Sequence, residues 1–119
     1  MNILIVEDDL KLLRLYAKIL KNEGHNIRQA ATISAARSLM TRYSFDLCIM
    51  DMHIGYHSSG EMIPHFPTLK RSGTQLIVIS GQDRHRDICE TLGAEYYLKP
   101  VSKSKLVEIV EDKKPAYNL

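Results

Sequence analysis

The chain alternates short apolar runs with longer stretches of helical spacing, five of each, and that alternation constrains the fold more than any single residue. Residues 2–6 are apolar after Asn2, as a strand buried on both faces requires. Residues 46–50, 75–80 and 95–98 repeat the pattern, whereas 26–30 is more polar and reads as a strand nearer an edge. Between them lie amphipathic segments. Leu10, Leu13, Ala17 and Leu20 recur at helical spacing behind Asp9, a capping residue, and Gly24 is placed to end that helix. Thr32 caps a second helix running to about Arg42, with Ile33, Ala36 and Met40 inward. A third begins near Gly60 or Glu61 and is disturbed by Pro64 and Pro67. A fourth spans 83–92 and is closed by Gly93, and Ser102 caps the last, with Leu106, Ile109 and Val110 inward.

Buried strands alternating with helices predict a parallel, doubly wound sheet. Five such units fit an α/β flavodoxin-like fold, a five-stranded parallel sheet of order 2-1-3-4-5 with five helices. At 119 residues the chain is one domain with one real core, too short for a two-domain enzyme. We expect the domain to fill residues 1–112, with 113–119 as a short, frayed C-terminal tail carrying Pro115. There is no internal repeat, no low-complexity segment and no linker to a second domain.

Composition removes several classes of function. The net charge of +2 is too small to argue for nucleic acid or an anionic membrane. The longest aliphatic stretches, such as 3–6 and 76–79, are far short of the ~18 residues that span a bilayer. Glu7, Asp8 and Asp9 directly follow the first apolar run, the wrong order for a signal peptide. Cys48 and Cys89 form no disulfide framework, and Cys48 reads as a small core residue. A reducing, cytoplasmic address fits these features.

Ligands bind at the carboxyl ends of the strands in such sheets. The first strand ends in Glu7, Asp8 and Asp9, the third in Asp51, the fourth in Ser80 and the fifth in Lys99. In order 2-1-3-4-5 these strands are neighbours, so carboxylates, a hydroxyl and an ammonium converge on one rim. Crowded carboxylates repel unless a cation joins them, and a hard ion such as Mg²⁺ suits oxygen ligands. A phosphoryl group fits between that ion, Lys99 and the Ser80 hydroxyl, with Asp51 as the nucleophile that forms an acyl phosphate.

With these residues in place the chain resembles the response-regulator receiver domains of two-component signalling. The resemblance covers residues 2–112 and rests on ILIVEDD (3–9), DLCIMD (46–51), LIVIS (76–80) and LKP (98–100), in the family's order. It implies that Glu7 and Asp8 are the metal-binding acidic pair and Asp51 the phosphoacceptor. It also implies that the His53 backbone carbonyl completes the Mg²⁺ site, that Ser80 senses the phosphoryl group and that Lys99 contacts it, with a cis bond to Pro100. Asp9 is then a helix cap. A tyrosine of the fifth strand takes the aromatic switch position, Tyr96 by counting back from Lys99 and Tyr97 by counting forward from Gly93. Strand alternation puts the two rings on opposite faces, so one of them at most can serve. The implied partners are a sensor histidine kinase or phosphotransfer protein upstream, and an effector protein or an output domain absent from this chain downstream. No direct contact with nucleic acid or membrane is implied. The domain would catalyse only its own phosphorylation and dephosphorylation.

The sequence departs from the family's pattern in the loops. Gly55 stands where a proline is usual, Gly60 comes one residue late, Gly81 replaces an alanine, and Val101 replaces the common Phe. The stretch from Gly93 to Lys99 is one residue short. Two other readings compete. A phosphohydrolase of the haloacid-dehalogenase type also places a nucleophilic Asp after an apolar strand, but wants a second Asp two residues on, where this chain has His53. A receiver-like module that takes no phosphate and only binds partners is the other. The histidines at 53, 57 and 65 match no tight zinc motif, and His85 between Arg84 and Arg86 reads as a solvated helix face.

Overall fold

A computed structural model describes residues 1–52 and 62–114. Five parallel strands, β1 (Asn2–Val6), β2 (Asn26–Ala30), β3 (Leu47–Met50), β4 (Gln75–Ser80) and β5 (Ala94–Leu98), form one sheet of order β2-β1-β3-β4-β5. The helices are α1 (Leu10–Asn22), α2 (Ile33–Arg42), α3 (Phe66–Arg71), α4 (Arg86–Thr91) and α5 (Lys103–Glu111). The fold class expected from the sequence is the one observed.

Alternating side chains of each strand feed two cores. One lies between the sheet and α2, α3 and α4, and includes Leu4, Val6, Cys48, Met50, Val78, Phe66 and Cys89. The other lies under α1 and α5, and includes Ile3, Ile5, Ile49, Ile77, Leu20 and Leu106. Double-sided burial is why β1, β3 and β4 read as unbroken apolar runs. β2 is more polar because it is an edge, with Asn26, Arg28 and Gln29 exposed.

The caps follow local chemistry. Asp9 accepts from the N–H groups of Lys11 and Leu12, Thr32 from Ala35 and Ser102 from Lys105. Gly24 and Gly93 follow α1 and α4 with φ of 90° and 92°, a region where a Cβ would be strained. Two elements differ from expectation. α4 begins at Arg86 rather than at residue 83, because Asp83 gives its carboxylate to the Arg86 guanidinium and a turn from Asp83 to Arg86 precedes the helix. Helix α3 is short and is preceded by a 3-10 turn at Ile63–His65, with Pro64 and Pro67 each in a first turn, where a missing N–H costs nothing. The expected start of this helix at Gly60 or Glu61 lies outside the described residues, as do His53, Gly55 and His57.

At the other end of the chain Lys113 is tied down. Gln75 Nε2 donates to its carbonyl at 2.9 Å, and its ammonium pairs with Glu95.

Candidate functional site

The strand register sets the rim level. Val6 pairs with Met50, Met50 with Val78, and Ser80 with Leu98. The residues that follow each strand therefore emerge side by side. Their backbones are held by further ladder bonds, from Glu7 N–H to Ala30 O, Asp51 N–H to Val6 O and Lys99 N–H to Ser80 O.

Glu7, Asp8 and Asp51 each place a carboxylate oxygen within 4.8 Å of the others. Glu7 is 2% exposed and Asp51 7%, whereas Asp8 faces solvent. The Lys99 ammonium reaches into this group, donating to Glu7 Oε1 at 2.6 Å and to Asp51 Oδ2 at 2.9 Å. The second Glu7 oxygen accepts from the Asp9 N–H at 3.2 Å. Burial pushes the Glu7 carboxyl above its ordinary value, and the bond from Lys99 offsets only part of that. Burial would lower Lys99, but its hydrogen bonds to Glu7 and Asp51 together outweigh that and raise it. An ammonium with two carboxylates stays charged, while a buried carboxylate that shares its one ammonium holds its proton more tightly.

An all-oxygen donor set around a net negative charge fits a hard divalent cation better than a soft one. Of this set Asp8 is the outermost, and Glu7 is already engaged at both oxygens. The expected carbonyl ligand, His53, lies outside the described residues.

Ser80 is buried at the end of β4, its Oγ accepting from the Gln82 N–H at 3.3 Å. Tyr96 lies in the layer of α2, α3 and α4 with its phenol donating to Gln82 O at 2.6 Å, and Tyr97 packs on the opposite face. Burial raises the Tyr96 phenol, and a hydrogen bond with Ser80 offsets part of the rise. Of the two tyrosines, it is thus Tyr96 whose ring stands beside Ser80. The Lys99-Pro100 bond is cis.

Some contacts escaped the sequence reading. Arg86, taken as part of a solvated face, bonds to Tyr96 O at 3.0 Å, and its i+3 relation to Asp83 was the available signal. Met52, next to Asp51, touches Cys89 of α4 through sulfur at 3.6 Å. His65 accepts from Arg37 Nε at 3.3 Å. A surface hollow lies at the amino ends of the strands, lined in part by Lys21, Arg28 and Arg42, and includes none of the site carboxylates.

Fold and rim together define a doubly wound α/β domain with an acidic pocket at the strand ends. The chain belongs to the response regulator receiver domain family, whose sequence profile matches residues 3–111. It is similar to a CheY-like receiver domain protein of Methanospirillum hungatei JF-1, at 27% identity and a TM-score of 0.83, covering 94% of this chain and 91% of that one. The non-phosphorylated HemR receiver domain of Leptospira biflexa gives a TM-score of 0.83 at 25% identity, covering 98% of both chains. The alginate biosynthesis transcriptional regulatory protein AlgB of Pseudomonas syringae pv. tomato is 27% identical over 107 residues, which are 87% of this chain. The match takes in 24% of that regulator, so the chain spans about a quarter of its length. Among the described residues no helix is long and apolar enough to cross a membrane.

Proposed function

We propose that this domain receives a phosphoryl group on Asp51 from a histidine kinase or phosphotransfer protein and so changes the face it offers to a partner. The observation that carries the reading is the Lys99 ammonium bridging Glu7 and Asp51 beside Asp8. In this reading residues 1–112 are the receiver unit, 113–119 a C-terminal tail, and the domain works in the cytoplasm.

Asp8 and Asp51, with Glu7 behind them and the His53 carbonyl in support, are the groups that would hold Mg²⁺, which when bound supplies positive charge to the phosphoryl oxygens. The Asp51 carboxylate attacks phosphorus. A new O–P bond forms as the donor's P–X bond breaks, and the bonding pair leaves with the donor. Lys99, with two of its three N–H groups on Glu7 and Asp51, donates to a phosphoryl oxygen as negative charge builds there. The Ser80 hydroxyl donates to another, and Tyr96 responds to the position of Ser80. Water then attacks the acyl phosphate, the O–P bond breaks, inorganic phosphate leaves and the Asp51 carboxylate is restored, so the domain catalyses only its own phosphorylation and dephosphorylation.

Incubation with acetyl phosphate and Mg²⁺ should add one acid-stable, base-labile phosphoryl group. Asp51→Asn should take none. Equal labelling of the two proteins would move the acceptor elsewhere.

A further inference from the structure

Tyr96 is 5% exposed, and its inward position is held from two sides. Inside, the phenol donates to Gln82 O at 2.6 Å. Outside, the Arg86 guanidinium lies 5.0 Å from the ring centroid, and its Nη1 donates to Tyr96 O at 3.0 Å. The guanidinium is itself fixed, with Nε 2.6 Å from Asp83 Oδ1 and Nη1 3.7 Å from Glu90 Oε1. One side chain at the first position of α4 thus ties that helix to both the ring and the backbone of β5.

We propose that Arg86 is a positioning residue that holds the Tyr96 ring inward before any phosphoryl group is on Asp51, so that the face formed by α4 and β5 rests closed. What this means for signalling depends on the function proposed above; the clamp itself does not.

The inward and outward ring positions differ in the contacts they make. A ring turned outward loses its bond to Gln82 and its place under the guanidinium. The pairs from Arg86 to Asp83 and Glu90 lie within the turn before α4 and the helix itself, and are indifferent to the ring. Only the ring contact biases the switch, while the ion pairs and the bond to the Tyr96 backbone carbonyl, which is the same for either ring position, fix the guanidinium over the ring. A cation over an aromatic face at a half-exposed site favours the inward state by about two- to fivefold. A phosphoryl group can act only on the population left outward, so a ring already held inward narrows the response to phosphorylation.

The test uses the full chain with ¹³C-labelled tyrosine rings and ¹⁵N-labelled amides, the Tyr96 ring signal being assigned by its loss in Tyr96→Phe. Spectra are taken alone and with beryllofluoride plus Mg²⁺, which occupy the place of the phosphoryl group. In the parent the Tyr96 ring signal should sit at a buried position and move little on addition. In Arg86→Ala the resting signal should shift toward that of an exposed tyrosine, by the same two- to fivefold change in population, and addition should restore it. Arg86→Lys, which keeps the charge without the fork, should fall between. If Arg86→Ala does not fold, Arg86→Gln takes its place in the comparison. A resting signal unmoved in the folded variants, even with a lowered melting temperature, overturns the clamp. Failure of the Asp51 amide to respond to beryllofluoride in every protein would instead count against the proposed function, and the resting comparison would still decide the role of Arg86.

Discussion

Glu7 and Lys99 are 92 residues apart in the chain and 2.6 Å apart across the carboxyl rim. The pairing gives Lys99 a structural role as a cation that does not depend on any phosphoryl group. It offsets part of the cost of burying Glu7 and holds Asp51 alongside. The ammonium uses two of its three N–H groups on these carboxylates, which leaves one for any further acceptor at the rim.

Lys99→Met should therefore lower stability in the absence of metal. A loss of about 1–3 kcal/mol is expected, below the ~3–5 kcal/mol of a fully buried pair because the Lys99 side chain is 23% exposed. The same variant should bind Mg²⁺ more tightly, on the order of tenfold, since a positive charge has left the cluster. Urea unfolding and calorimetric titration check the two arms. A variant as stable as the parent, with unchanged affinity, would mean that the pair does neither job.

The two acidic neighbours should differ as metal ligands. Both Glu7 oxygens are engaged, by Lys99 and by the Asp9 N–H, whereas Asp8 is exposed at the rim. Asp8→Asn should weaken Mg²⁺ binding by about tenfold or more and Glu7→Gln by a smaller factor, since Mg²⁺ relies on one or two direct carboxylates. Calorimetry on the three proteins gives the ranking, and the reverse order would place Glu7 in direct contact.

His25 supplies a pH dependence away from the site. It is 6% exposed, and its Nε2 has no hydrogen-bond partner among the described residues. Burial lowers its pKa below the ordinary 6.5, and the nearby amino group of Met1 acts in the same direction. As pH falls through 6.5 the unfolded chain takes up a proton that the native state refuses, so stability drops toward the lowered native value. Above 6.5 the residue contributes no slope. His25→Phe should therefore lose less stability than the parent between pH 7 and pH 5, measured as the shift in urea midpoint. Parallel shifts in the two proteins would remove His25 as the cause.

Much of this arrangement was legible in the sequence, for physical reasons that differ by element. β1, β3 and β4 were readable because burial on both faces leaves no room for polar residues, as in 3–6 and 76–79. The rim followed from the order of the strands, since whatever ends neighbouring parallel strands must meet. What was not legible depends on which partner a side chain chooses. Asp83 looked like the start of a helix but spends its carboxylate on Arg86. Glu7 read as half of a metal pair, and nothing in the sequence says that one oxygen goes to Lys99. The choice between Tyr96 and Tyr97 stayed open under counting from either side. Register settles which ring faces which core, because Val78 lies opposite Tyr96 and both belong to the layer of α4.

The last prediction concerns Ser80, whose hydroxyl is held loosely enough to be redirected. Its Oγ accepts a long bond of 3.3 Å from the Gln82 N–H, on the same residue whose carbonyl takes the Tyr96 phenol. Gln82 O accepts the same phenol at 2.6 Å, so Tyr96 keeps a partner if Ser80 turns toward a phosphoryl oxygen. Ser80→Ala removes a neutral hydroxyl and should reduce stability by less than about 2 kcal/mol. Asp51 and Lys99 remain, so acetyl phosphate should still label the variant. What should be lost is transmission: the amide shifts of Gly81 and Gln82 that beryllofluoride and Mg²⁺ produce in the parent should shrink severalfold. Ser80→Thr keeps the hydroxyl and should retain them. Full amide shifts in Ser80→Ala would mean that the end of β4 moves for some other reason, and that the path from Asp51 to Tyr96 does not run through this hydroxyl.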